Sequence, residues 1–259
     1  MKSAETKKKT DRKSRILELL TENESLTPME LTHILNVSLS TARRDLDEMA
    51  EAGLIKRKFG SAETLSLPGE EMPFALRSTV NQNEKTRIAR AALDLVENGD
   101  TIFIAGGSTT LEFAKLLPGQ KRITVITHSL RVANILVDKP GIDLILMGGS
   151  LLPDEQIMVS PLAETATPQY RANKLFYGTQ AVNLKHGLTH SRVTEVNMER
   201  TIARMVDHII LLVDHSKFGK TAPVFVMPIS SIHTVVTGRE LDEQIVFELE
   251  ETNIKVVLA

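Results

Sequence analysis

The sequence predicts an α/β protein in two parts: an N-terminal winged helix-turn-helix, joined to a doubly wound, mostly parallel α/β domain. Three observations carry this. Residues 28–59 read as helix, turn, helix and a short basic hairpin. Beyond residue 84, apolar runs alternate with amphipathic helical runs, the pattern of a parallel sheet covered by helices. Between the two, residues 63–83 mix turn formers and charges with no sustained period. The expected divisions are a flexible basic tail at 1–11, the winged helix-turn-helix at 12–62, a connector at 63–83 and the α/β domain at 84–259.

Thr27-Pro28-Met29-Glu30 is a helix start: a hydroxyl cap, proline at the first helical position, and a glutamate able to reach back to the cap. Leu31, Ile34 and Leu35 then fall on one face. Asn36-Val37 breaks the pattern, and Ser38 can cap a second helix from Ser40 to Ala52. Gly53 stands in the usual stop position. Leu54 to Gly60 reads as a strand entering a basic tip. A further helix, Arg15 to Glu22, precedes the pair, with Ile16, Leu19 and Leu20 on one side.

Rotation at about 100° per residue sorts the second helix. Ala42, Leu46, Met49 and Gly53 form the expected buried stripe. Ser40, Arg44, Asp47, Glu48 and Glu51 lie opposite, with Thr41 and Arg43 on the flanks. A recognition helix reads bases with its N-terminal residues. Arginine suits guanine and phosphate because its planar fork donates two parallel hydrogen bonds, and hydroxyls suit phosphate oxygens. The residues expected at duplex DNA are therefore Ser38, Ser40, Thr41, Arg43 and Arg44, with Arg57 and Lys58 on the wing. A plainer reading pairs Arg43 with Asp47 and Arg44 with Glu48 as i,i+4 couples on a solvated helix. The short helices, the tight turn, the preceding helix and the basic hairpin together favour the DNA-binding shape.

Composition agrees with a soluble globular chain. It is 42% hydrophobic and 25% charged over 259 residues, room for two domains. The absence of cysteine excludes disulfides and cysteine-ligated metal sites. No apolar run is long enough to span a bilayer and no signal peptide is evident, so a cytoplasmic location without membrane association is expected. The net charge of −2 conceals an asymmetry. Residues 1–60 hold 12 Lys+Arg against 10 Asp+Glu, and residues 61–259 hold 19 against 23. Seven of the basic side chains fall in residues 1–15, where a loose tail adds salt-dependent attraction to phosphate or merely solubilises the terminus.

In the second part, helices are expected at 84–97, 110–117, 130–137, 195–206 and 241–251. Strands are expected at 101–105, 123–127, 142–147, 174–177, 209–213, 234–236 and 254–258. Several of the strands are continuously apolar, as strands covered on both faces should be. Ligands in such folds sit at the carboxyl ends of strands. Four turns there carry small polar residues: Ala105-Gly-Gly-Ser-Thr-Thr110, Thr127-His128-Ser129, Gly148-Gly149-Ser150 and Asp214-His-Ser-Lys-Phe-Gly219. In the first of these, Thr109 and Glu112 match a capping box. Glycines allow close approach of the backbone, and free amides at a helix start attract an anion, so this turn reads as a phosphate cradle or as an ordinary strand-to-helix turn.

The run from Val37 to Arg57 resembles the signature of the DeoR-type bacterial transcriptional regulators: a hydroxyl-rich turn, Thr-Ile-Arg-Arg-Asp-Leu, a glycine and a basic wing ending His-Gly-Gly-Ala. Here Ala42 replaces the isoleucine, and Phe59-Gly60-Ser61-Ala62 closes the wing. The second part is similar to the sensor domain of the same regulators, with counterparts of all four turns. His128 stands where asparagine is common, and Ala105 where aspartate often precedes the turn. The resemblance implies a fold related to sugar-phosphate isomerases and CoA transferases, used for sensing, and a phosphorylated sugar or sugar-acid effector. It implies that Ser108, Thr109 and Thr110, with Gly107, hold phosphate and that Lys217 adds a cation. Glu195 or Asn197 then contacts hydroxyls, while His128, Gly148 and Gly149 line the site. No cofactor is implied. The implied role is a repressor of a carbohydrate-utilisation operon, acting as a homodimer or homotetramer on paired half-sites.

Other motifs carry less. Gly219-Lys220-Thr221 resembles a P-loop end, but Asp214 occupies the first glycine position and Ala222-Pro223 follows where a helix is required. His186 and His190 have helical ligand spacing, but Gly187 and the turn context argue for loop histidines. The alternative to a regulator is an isomerase-like enzyme with an accessory DNA-binding domain; it needs an acid/base pair, for which Glu195 and Asp214 are the candidates.

Overall fold

The computed structural model describes residues 12–13, 15–17, 19–20, 23, 25–51, 53–58, 60–64, 71–119, 121–159 and 170–259. The expected tail at 1–11, the helix-end residues Glu22 and Ala52, and Phe59 of the wing lie outside the described residues. Contacts divide the chain into two compact units, residues 1–81 and 82–259.

In the first unit, residues 12–13, 15–17 and 19–20 are helical (α1). They are followed by β1 (Ser25–Leu26), α2 (Pro28–Leu35), α3 (Leu39–Glu51), β2 (Ile55–Lys58), β3 (Ser61–Thr64) and α4 (Phe74–Arg77). Thr27 and Glu30 form the expected reciprocal capping box, and Asn36 ends α2 in the left-handed conformation. Thr41 N–H donates to Ser38 Oγ (3.2 Å), so Ser38 does serve the start of α3. Gly53, at φ 67°, follows its end. The strands form an antiparallel sheet in the order β1-β3-β2, in which β2 and β3 are the wing.

The core of this unit differs from the rotation argument at three positions. Asp45 is buried and Gly53 is exposed, while Ile34 is half exposed instead of sharing the face of buried Leu31. Asp45 can be buried because the Arg12 guanidinium meets both its carboxylate oxygens, the outer contact at 3.0 Å. That pairing raises the Arg12 pKa above its usual value. Leu76 and Val80 join the same core as Ile16, Leu20, Leu46 and Met49. Part of the expected connector thus belongs to the first unit: Ser61–Thr64 is a strand of its sheet, and the contact division falls at 81/82.

The second unit begins with α5 (Gln82–Leu93) and continues through β4 (Thr101–Ile104), α6 (Ser108–Leu116), β5 (Ile123–Thr127), α7 (Leu130–Leu136) and β6 (Ile142–Leu146). The hairpin β7 (Ser150–Leu152) and β8 (Ile157–Val159) follows, then β9 (Ala172–Tyr177), β10 (Ala181–Asn183), β11 (Gly187–His190) and α8 (Val193–Ala203). The chain closes with β12 (Val206–Leu212), β13 (Val224–Met227), β14 (Thr234–Thr237), α9 (Glu243–Glu251) and β15 (Lys255–Leu258). All seven expected strands enter one sheet in the order β15-β14-β12-β9-β4-β5-β6, and every pairing in it is parallel. One face packs against α5, α6 and α7, with Ile88, Phe113 and Val132 among the buried residues. The other packs against α8, α9 and a small antiparallel sheet, β10-β11-β13, through Val196, Met198, Leu249 and Val226.

Several boundaries move. Val206 starts β12 instead of ending a helix, and α9 starts at Glu243. Thr109 does not cap α6: the cap position is Gly107, with φ 144°, and no side chain bonds the helix start. His190 lies on β11 and is buried, so it is not a loop residue; His186 is exposed in the turn before it. The two small antiparallel groups, β7-β8 and β10-β11-β13, were not anticipated by any periodicity in their short segments.

Candidate functional sites

On the first unit, the N-terminal turn of α3 projects Ser38, Ser40, Arg43 and Arg44 outward, with Thr41 half-buried. Ser38 Oγ lies 2.9 Å from Ser40 Oγ and 2.8 Å from Thr41 Oγ1, a cluster of three hydroxyls at a helix start. The i,i+4 couples of the plainer reading do not form. Asp47 meets Arg57 of the wing at 3.3 Å, and Glu48 meets Lys13 of α1 at 2.7 Å. Neither Arg43 nor Arg44 has an ion pair or hydrogen bond among the described residues, so both guanidinium forks keep their donors for an outside acceptor. The wing cations are less available: Arg57 has Asp47, and Lys58 has Glu63 at 3.0 Å.

On the second unit, the strand order places a reversal of winding between β4 and β9. The chain runs β4-β5-β6 in one direction, then β9-β12-β14-β15 in the other. A crevice outside the carboxyl ends of strands at such a switch point is where α/β folds take ligands. Gly107 to Thr110 follow β4, His128 follows β5, and the Asp214–Phe218 turn follows β12 beside β9. Gly148 and Gly149 follow β6, at the far edge of the sheet, and are exposed. Sequence reasoning missed Gly178-Thr179-Gln180, which follow β9 itself. That segment has no motif of its own; only the strand order brings it beside the first turn, where Thr110 Cγ2 lies 3.9 Å from where a side chain at Gly178 would begin.

The first turn has the features of an anion cradle. No side chain caps α6, so its first backbone N–H groups have no partner within the helix. Ser108 is half-buried at the opening. Thr109 and Thr110 are buried, and the Thr110 hydroxyl donates to Gly107 O (3.1 Å), which commits it to shaping the turn. Gly106 is covered by Ile157 of the β7-β8 hairpin, whose Cγ2 lies 2.6 Å from where a Cβ would stand. Beneath it sits His128, 3% exposed, its ring 5.8 Å from that of Phe103. Its Nδ1 has no hydrogen-bond partner among the described residues. Burial pushes its pKa down to about 4, so the ring is neutral at physiological pH.

Lys217 lies in a 3-10 turn, His215–Lys217, capped by Asp214, whose Oδ1 accepts from Ser216 N–H (3.1 Å). No ion pair engages Lys217 among the described residues. Glu195 is buried near the start of α8, 3.7 Å from His190 and 3.5 Å from Arg192, so its charge is already shared. Asn197 is exposed on α8. Glu84, Asp214 and His215 place one ligand atom each within 4.8 Å of one another. Their chemistry is that of an ion-pair network: both Glu84 oxygens accept from His215, and the Lys85 ammonium stands 3.9 Å from Asp214, where a metal would meet repulsion. Two cavities of about 530 and 460 Å³ open elsewhere, at the amino ends of β12 and of β5 and β6. They lack the convergence of strand-end turns.

Residues 12–66 match the DeoR-like helix-turn-helix domain, and residues 80–239 match the DeoR C-terminal sensor domain. The HTH-type transcriptional regulator IolR of Bacillus subtilis (strain 168) is 32% identical over 230 residues, 89% of this chain and 91% of its own. The glycerol-3-phosphate regulon repressor of Escherichia coli (strain K12) is 32% identical over 253 residues, 97% of this chain and 99% of its own. Among solved structures, ribose 5-phosphate isomerase A of Methanocaldococcus jannaschii aligns with a TM-score of 0.40 and 20% identity, covering 53% of this chain and 55% of that one. The relatives are named regulators and repressors, not enzymes, and the full-length match extends through both units. With an exposed basic recognition helix on one unit and a doubly wound sensor as the other, the chain belongs to the DeoR family of DNA-binding transcriptional regulators.

Proposed function

We propose that the protein represses a carbohydrate-utilisation operon and answers to a phosphorylated sugar or sugar acid bound at the carboxyl edge of its seven-stranded sheet. The observation that carries this is the pairing, at one sheet edge, of an uncapped helix start at Gly107–Ser108 with a lysine, Lys217, that has no counter-ion among the described residues. Backbone amides at a helix N-terminus and a free ammonium together suit a dianionic phosphate. Ser108 and Thr109 add their amides, and neutral His128 offers a hydrogen bond to a ligand hydroxyl instead of a charge to its phosphate. Glu195 or Asn197 reaches the sugar from α8, and Gly148 and Gly149 border it. The name of the glycerol-3-phosphate regulon repressor, a relative of similar length, supports a phosphorylated ligand.

DNA is read by Arg43 and Arg44, oriented by the Ser38, Ser40 and Thr41 hydroxyls on phosphate, with Arg57 and Lys58 of the wing on the flanking backbone. One such unit buries too little duplex to be selective, so the protein works as a homodimer or homotetramer in the cytoplasm. A thermal-shift screen of phosphorylated sugars, followed by operator gel shifts with each hit, tests the reading. A ligand that prefers the native state raises the melting temperature. The expected hit also changes operator affinity, and Thr109→Glu abolishes that response while leaving DNA binding intact. Failure of every phosphorylated sugar, alongside a response to an uncharged ligand, overturns it.

A further inference from the structure

The turn that carries Lys217 is tied to the first turn of α5 by two consecutive residues. Glu84 accepts from the His215 backbone N–H through Oε1 (2.8 Å) and from the His215 ring Nδ1–H through Oε2 (2.7 Å). Lys85, beside it, places its ammonium 3.9 Å from Asp214. Glu84, Lys85 and Asp214 are all buried, a costly arrangement unless each charge is matched. On the far side, Phe218 is buried and bridges Val182. Lys217 is therefore presented from a turn fixed at Asp214, His215 and Phe218, and no described residue holds its own head group. The His215 ring is open to solvent, about 39% exposed, whereas Glu84, Lys85 and Asp214 are not.

We propose that Glu84 is a positioning residue for the anion site: it braces the His215 turn so that Lys217 faces the helix start at Ser108, and the proton on His215 adds a second, titratable positive charge to the same site. This rests on the reading that Lys217 meets the ligand's anion. The charged groups acting on His215 are Glu84 from α5, Asp214 from its own turn, which Lys85 of α5 approaches at 3.9 Å, and Glu240 after β14, itself held by Arg87 of α5 (2.7 Å). The hydrogen bond from Glu84 leads the effects that raise the His215 pKa above its ordinary value. Anion affinity in this site falls as pH rises through that raised value.

Sulfate is the probe, because it stays a dianion across the range where phosphate itself titrates. Its affinity for the full-length protein is measured by calorimetry from pH 5.5 to 8.5. The wild type binds sulfate about two- to fivefold more tightly at the acid end, the size of effect one added charge at several ångströms produces in a wet site. Glu84→Gln lowers the midpoint of that profile and weakens binding at pH 8 as well, since the turn loosens. His215→Gln keeps the backbone N–H bonded to Glu84 and leaves a flat profile; it serves if Glu84→Gln does not fold. Lys217→Ala removes sulfate binding at every pH. If Lys217→Ala binds sulfate as the wild type does, the underlying reading of the site is wrong. If Lys217→Ala loses binding while Glu84→Gln and His215→Gln both keep the wild-type affinity and profile, the site stands and the brace is overturned.

Discussion

The two units, one DNA-binding and one a sensor, present their charges in opposite ways. On the first, the cations stand on the outside of one helix: Arg43 and Arg44 are exposed and have no internal partner among the described residues. On the second, the proposed anion site is assembled from turns that follow separate strands, and its parts are mostly buried or fixed by a neighbour: Thr110 by Gly107, His215 by Glu84, Glu195 by His190 and Arg192. An extended duplex is met by a protruding surface whose charges need no enclosure. A small metabolite must be surrounded, so its site depends on long-range order. Damage to the first kind of site should be local and additive, whereas damage to the second should spread into stability.

The sharpest break of that contrast lies at Asp45, a charge buried beneath the recognition helix. Removing it strands the Arg12 guanidinium at a half-buried position and leaves a void under α3. Loss of one partner of a buried, hydrogen-bonded pair costs about 3–5 kcal/mol. Asp45→Ala is expected to lower the unfolding midpoint of the DNA-binding unit by that order and to abolish operator binding. Ligand binding by the sensor should persist. Chemical denaturation with separate probes on each unit checks it; simultaneous loss of both transitions would contradict the independence of the two cores.

Within the sensor, pH offers a test that does not involve DNA. His128 is neutral in the fold, with a pKa near 4, but takes up a proton near pH 6.5 when unfolded. Acidification from about pH 6.5 therefore favours the unfolded chain, and the loss stops growing below about pH 4, by which point it is on the order of 3 kcal/mol. His215 runs the other way. Its pKa is raised in the fold, so its contribution is complete below about pH 6.5 and is lost as pH rises through the folded value. His128→Asn is expected to flatten the acid side of the stability profile and leave the neutral side in place. An unchanged acid branch in urea titrations at successive pH values would show that the His128 ring is hydrated.

Arg44→Ala is expected to weaken specific operator binding by about 10- to 100-fold, the range of one arginine fork on a base edge, with the sensor's melting temperature unaltered. Gel shifts on specific and scrambled duplexes separate a base contact from a phosphate contact, since the latter weakens both equally.

The same contrast explains what the sequence disclosed. The helix-turn-helix is built from contacts three or four residues apart, so caps at Thr27 and Ser38 and the rotation of α3 sufficed to place Ser40, Arg43 and Arg44 outward. What escaped there was long-range: Asp45 turns inward only because Arg12, 33 residues earlier, meets it. In the sensor, the seven strands were visible as apolar runs, yet their order was not. The neighbourhood of Gly178 and the first cradle turn depends on β9 lying beside β4, and no local pattern encodes that. The brace of Glu84 on His215 spans 131 positions and joins a helix start to a strand end. Ile157 over Gly106 likewise comes from a short hairpin with no strong periodicity. Capping preferences failed at Thr109 because α6 starts earlier, at Ser108 after Gly107 (φ 144°), so Thr109 lies inside the first turn and not at its cap.

The smallest effect is expected on the wing, and it has an unusual sign. Arg57 already meets Asp47 at 3.3 Å, with both partners substantially exposed, so to reach phosphate it must exchange one acceptor for another. Such exposed pairs are worth about 0–1 kcal/mol. Arg57→Ala should therefore weaken specific and non-specific DNA binding alike by only a few-fold and lower the salt slope of log K by about one. Asp47→Ala removes the competitor instead. It frees Arg57 and deletes a negative charge from the face of α3, so it should tighten binding about two- to threefold at low salt, an advantage that fades as salt screens the site. Binding measured between 50 and 200 mM salt distinguishes these outcomes. If Asp47→Ala weakens binding, the carboxylate is accepting a hydrogen bond from a base, and the acidic end of the recognition helix belongs to the DNA-reading surface as much as its arginines do.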